Sequence, residues 1–86
     1  MHEAALMRDL MHRIETVARD EAATRVVRVH VRLGALSHMT PAHFREHFAD
    51  SAAGTTAEDA ALDIATCDDT TAAHAQGILL EAVDVE

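Results

Sequence analysis

From Ala4 to about Asp20 the apolar residues Leu6, Leu10, Ile14 and Val17 recur at spacings of four, four and three, and Met7, Met11 and Ala18 widen the stripe. That period predicts an amphipathic helix with Arg8, Asp9, Arg13, Glu15 and Arg19 on its remaining surface. Glu3 suits the positive end of its dipole. Between Arg25 and Leu33 the period changes to two. Val27, Val29, Val31 and Leu33 alternate with Arg28, His30 and Arg32, as expected of a strand with one dry face and one wet face. Gly34 ends the strand. A short connection through Ser37, His38 and Met39 then leads to Thr40-Pro41, an N-cap followed by proline at the first helical position. The second helix carries Phe44 and Phe48 inward at i, i+4 and ends before Gly54, and Gly54-Thr55-Thr56 forms a turn. Leu62 and Ile64 mark a second strand ending near Cys67. Asp68 to Gly77 is small and polar and reads as a loop, and Ile78 to Val85 as a third strand.

The predicted order is α-β-α-β-β, a two-layer α/β (α+β) domain occupying residues 1–86. A right-handed parallel crossover joins the first two strands, the third strand runs antiparallel, and both helices cover one face of the mixed three-stranded sheet. Connectivity alone then gathers residues 1–3, the 34–40 connection and the 67–77 loop at one end. His2, His38, Cys67 and His74 belong to those segments.

Composition narrows the function classes. The 86 residues are 49% hydrophobic and 26% charged, which suits a folded domain. Seven basic residues, all arginine, face fifteen acidic ones for a net charge of −8. A nucleic-acid backbone or an anionic membrane surface is therefore a poor partner. No apolar run approaches the ~20 residues of a spanning helix. The first residues lack the basic charge of a secretory signal, so a cytoplasmic location is expected. Cys67 is the single cysteine, which excludes an internal disulfide and a multi-cysteine zinc site within one chain.

Two constellations could carry chemistry. In Met1-His2-Glu3 a bulky His2 disfavours removal of Met1. A free amine, an imidazole one residue later and nearby main-chain nitrogens can then form fused chelate rings around nickel(II) or copper(II). A helix starting there leaves its first N–H groups without intrahelical partners, so a metal can displace their protons. The second is His43-Phe44-Arg45-Glu46-His47, which matches the H-x-x-E-H pattern of a metallopeptidase class, with two histidines for zinc and Glu46 as base. Its bland alternative is a solvated pair flanking the core stripe. Asp68 and Asp69 disfavour a Cys67 thiolate. His12 and His30 read as solvated, and Met7, Met11 and Met39 as core packing.

Met1-His2-Glu3 followed by Ala4-Ala5-Leu6-Met7 resembles the start of the HypA/HybF-type nickel metallochaperones of [NiFe]-hydrogenase maturation. The segments Arg25–Val29 and Val31–Ser37, the latter with its Gly-x-Leu-Ser close, are similar to that family's first strand. Thr40-Pro41 with Phe44 and Phe48, Gly54-Thr55 through Leu62-Asp63-Ile64, and Val83-Asp84-Val85-Glu86 continue the likeness over nearly the whole chain. Members insert a zinc ribbon with two Cys-x-x-Cys pairs between the second and third strands. Here only the short loop 67–77 stands there, so no structural zinc is expected. Ala35 replaces a frequent glutamate and His38 a usual small residue.

The resemblance implies a non-enzymatic carrier that binds Ni(II) through His2 with main-chain nitrogens of Met1 and Glu3. Its implied partners are a maturation GTPase and the hydrogenase large-subunit precursor. His74 and His38 are added as closing ligands from the predicted topology, His74 preferred for its position in the shortened ribbon. Two other readings remain: a metal-free assembly or docking protein of the same pathway, and a small zinc hydrolase using His43, Glu46 and His47.

Overall fold

The computed structural model describes the backbone from His2 to Glu86 and the side chains from Ala4 onward. Helix α1 spans His2–Asp20, strand β1 Val26–Leu33, helix α2 Pro41–Ala52, strand β2 Ala61–Thr66 and strand β3 Ile78–Val85. The strand order is β2-β1-β3, with β1 parallel to β2 and antiparallel to β3. The predicted two-layer α/β class and element order are therefore found. No helix among the described residues is long and apolar enough to cross a membrane.

Helix α2 starts where its sequence says it should. Thr40 is extended, its Oγ1 accepts a hydrogen bond from the His43 N–H at 3.1 Å, and Pro41 opens the first turn. The helix buries Phe44, Phe48 and Ala52. Helix α1 buries Met7, Leu10, Met11, Ile14 and Ala18. Its stripe is thus rotated from the predicted centre, and Leu6 and Val17 sit half-buried at the rim. The two methionines occupy the middle because an unbranched thioether side chain fills an uneven helix–sheet gap.

Strand β1 lies between the other two and supplies the wholly buried Val26, Val29, Val31 and Leu33. One predicted core residue is corrected here. Val26 is buried and Val27 only half-buried, because a bulge between Val26 and Arg28 inserts Val27 opposite a single step of β3. A second irregularity has the opposite sense. From His30 to Val31 the partner jumps from Ala82 to Leu80, so Glu81 is the extra residue on β3. This change of phase lets Ile78 and Leu80 pack on the same core as Val83 and Val85, although strict alternation would put the two pairs on opposite faces.

Candidate functional site

The end of the sheet where β1 finishes is laced by main-chain hydrogen bonds. The Cys67 N–H donates to the Leu33 carbonyl at 3.0 Å, the Gly34 N–H to Gly77 at 2.9 Å and the Leu36 N–H to Ala75 at 2.6 Å. The start of α1 joins them, since Leu6 Cδ2 lies 3.7 Å from the position a Cβ on Gly77 would take. The 34–40 and 67–77 segments therefore meet beside the first turns of α1. Met1 and the side chains of His2 and Glu3 lie outside the described residues, and so does the predicted N-terminal metal site.

The two histidines added from topology differ in environment. His38 is exposed, holds a left-handed backbone with φ of 59°, and lines a shallow depression with Leu36, Ser37 and Gln76. His74 is half-buried, and its Nε2 is wholly buried with no hydrogen-bond partner among the described residues. The loop holding His74 is ordered by its own contacts. Thr71 donates from N–H and Oγ1 to Asp69 Oδ1 at 2.9 and 2.6 Å. Those donors hold the Asp69 carboxyl below its usual value, and the nearby His74 adds a smaller pull in the same direction. Cys67 is half-buried at the edge of a second depression shared with Gly34, Met39 and Pro41. Among the described residues no group of three or more His, Cys, Asp or Glu side chains could hold a metal.

The structure brings two other sets together. His43 and His47 approach each other on α2, with Nε2 to Nε2 at 2.8 Å and ring centres at 4.5 Å, so they are a contacting, half-buried pair and not two solvated rings. Glu46 is exposed beside them. A hydrolase centre needs a third ligand, and the described residues offer none.

His30 corrects the expectation of a solvated side chain. On the open face of the sheet its Nδ1 lies 3.2 Å from Asp63 of β2, and its Nε2 3.0 Å from Asp84 of β3. Beside it Arg32 pairs with Glu81 at 3.1 Å. The Asp84 hydrogen bond is the main cause raising the His30 pKa, opposed by partial desolvation and reinforced by the charge of Asp84 and by Asp63. Sequence reasoning missed this triplet because its members come from three strands. Its pH consequence has a definite sign. A raised folded pKa contributes stability that is complete below the unfolded value of about 6.5 and is lost as pH rises through the folded value. The urea midpoint of the wild type should therefore fall relative to that of His30→Gln as pH is raised from about 6 through neutrality. Parallel curves would show that the two carboxylates do not act on the imidazole.

The comparisons with known proteins bear on this end of the fold. The sequence model of a family described as "Hydrogenase/urease nickel incorporation, metallochaperone, hypA" matches residues 1–76. A hydrogenase maturation factor HypA from Rhodopseudomonas palustris (strain BisB5) is 44% identical over 64 residues, which is 74% of this chain and 57% of that protein. This chain belongs to the HypA family. A HypA from Chlorobium limicola is 38% identical over the same length, covering 74% of this chain and 55% of the relative. The chain thus spans a little over half the length of the curated HypA proteins it matches. The solution structure of the Ni metallochaperone HypA from Helicobacter pylori superposes with a TM-score of 0.73 over 94% of each chain at 19% identity, which shows a shared fold. The HypA family is described as a carrier, not as a catalyst.

Proposed function

We propose that this chain is a nickel carrier of hydrogenase maturation that takes Ni(II) on Met1-His2-Glu3. His2 binds through its imidazole, and Met1 and Glu3 through main-chain nitrogens. The observation that carries the reading is the joining of the 74–77 segment to the start of α1, through Leu6 on Gly77 and the Gly34–Gly77 hydrogen bond. α1 begins at His2, so the metal site would sit on unpaired helix N–H groups beside that junction. His74 is the preferred closing ligand and His38 the second choice. The buried His74 Nε2 has no hydrogen-bond partner among the described residues, which leaves it available as a ligand, whereas His38 is exposed. Few ligands at a chain terminus favour release over retention, which suits delivery to a maturation GTPase or to the hydrogenase large-subunit precursor. No structural zinc takes part in this reading, because the fold rests on a core of Leu, Val, Ile, Met and Phe.

Calorimetric titration of the untagged protein with Ni(II) tests it. His2→Ala should abolish the tightest site while circular dichroism stays unchanged. His74→Ala should weaken that site by a smaller factor, and prior treatment with chelator should leave the fold intact. Undiminished binding in His2→Ala would overturn the carrier site, and a wild type that takes up no nickel would favour the metal-free docking protein. Full affinity in a folded His38→Ala/His74→Ala double variant would remove the closing ligand alone.

A further inference from the structure

The strand order β2-β1-β3 leaves two strand edges without a strand partner among the described residues. The two edges differ. β3 is interrupted by the bulge at Glu81, and α1 packs over it more closely than α2 packs over β2. β2 keeps an unbroken register with β1 from Ala61 to Thr66 and holds neither proline nor lysine, the usual guards of a free edge. Beside that edge, between α2 and β2, lies a groove of about 160 Å³ floored by Phe48, Ala49, Ala52 and Leu62. An apolar cavity of about 150 Å³ admits a molecule the size of benzene, so this groove has room for one large apolar side chain. Arg45, Glu58 and Asp59 stand around it, and none of them forms an ion pair among the described residues.

A strand added to β2 would hydrogen-bond along its free main chain and send alternate side chains to the helix side, toward the groove. Charge selects the occupant. From residue 41 to residue 60 the chain carries one arginine, Arg45, against the four acids Glu46, Asp50, Glu58 and Asp59. A second copy would bring the same acidic surface up to this one, and like charges across an interface are repelled. A basic segment meets the opposite sign. Asp63, the acid within β2, is turned to the open face of the sheet, where it pairs with His30. We propose that the β2 edge and the α2 groove receive an extended segment of a partner protein as a fourth strand. An apolar side chain of that segment fills the groove, and a basic one meets Glu58 and Asp59. This surface is formed by α2, β2 and the turn between them, and it does not rest on the nickel reading.

The test uses the full-length protein without added metal. Its probe is the peptide acetyl-Arg-Thr-Leu-Thr-Val-Thr-Arg-amide, whose arginine, leucine and valine side chains share one face of a strand. Titrated into isotope-labelled protein at low salt, the peptide should shift amide signals and slow amide exchange between Ala61 and Thr66, and leave those between Ile78 and Val85 unchanged. Glutamate in place of both arginines should weaken binding at least about tenfold, and added salt should weaken binding of the arginine peptide. Ala49 is exposed on α2, so Ala49→Leu fills the groove at a position where leucine suits a helix, and it should weaken binding about tenfold or more. Equal affinity for the two peptides, undiminished binding by folded Ala49→Leu, shifts on β3 in place of β2, or no binding at millimolar peptide would each overturn the proposal. A concentration-dependent dimer in sedimentation that Ala49→Leu abolishes would also overturn it, giving the edge to a second copy.

Discussion

Gly34→Ala should detach the 69–77 loop from the end of β1 and cost about 3 kcal/mol or more. An added Cβ would be driven into the carbonyl oxygens of His74 and Ala75, which are main-chain atoms and cannot swing aside. Relief requires the loop to move, and movement breaks the hydrogen bonds from Gly34 to Gly77 and from Leu36 to Ala75. Gly54→Ala is the internal control. There φ is +80° and nothing lies within 4 Å of the new atom, so only the left-handed backbone penalty of about 1–2 kcal/mol applies. Urea unfolding should rank the two variants in that order, and amide exchange at Leu36 and Gly77 should quicken in Gly34→Ala alone. Equal losses would mean that the close approach at Gly34 is not what holds the loop.

Phe44→Ala should remove about 3–5 kcal/mol. Phe44 is the largest of the fully buried side chains, and its ring stands 5.9 Å from that of Phe48 at a tilt of 33°. These are the two phenylalanines of the sequence, which has no tyrosine or tryptophan, so no other large apolar ring can fill the cavity. A domain of this length holds about 4–13 kcal/mol in total, and the melting temperature should fall by roughly 10–40 °C. Phe44→Leu keeps most of the volume and should lose much less. A melting temperature within a few degrees of wild type for Phe44→Ala would mean that α2 is not anchored through that ring.

Much of the architecture was legible because its causes are local. The change from a three-to-four residue period to a two-residue period separates α1 from β1, and the Thr40-Pro41 pair starts α2 where the hydroxyl can reach the His43 N–H. The α-β-α-β-β order, with β1 parallel to β2 and antiparallel to β3, then brings the 34–40 and 67–77 segments together, as the laced hydrogen bonds show. The family resemblance was carried by short segments such as Met1-His2-Glu3 and Gly34–Ser37, and the match over residues 1–76 agrees with it.

Other features needed the assembled sheet. Val26 and not Val27 enters the core because β3 imposes a bulge, and β3 changes phase at Glu81 because both halves of that strand must face one core. His30 meets Asp63 and Asp84 only because β1 lies between β2 and β3, which joins residues 33 and 54 positions away along the chain. The spacing of His43 and His47 was visible in the sequence, but their Nε2-to-Nε2 approach at 2.8 Å is a property of the folded side chains. Periodicity and capping act within a few residues, so the sequence alone determined the elements and their order. Register, bulges and facing charges depend on pairings across tens of residues, where burial against a particular neighbour outweighs local preference, and the tertiary structure alone decided them.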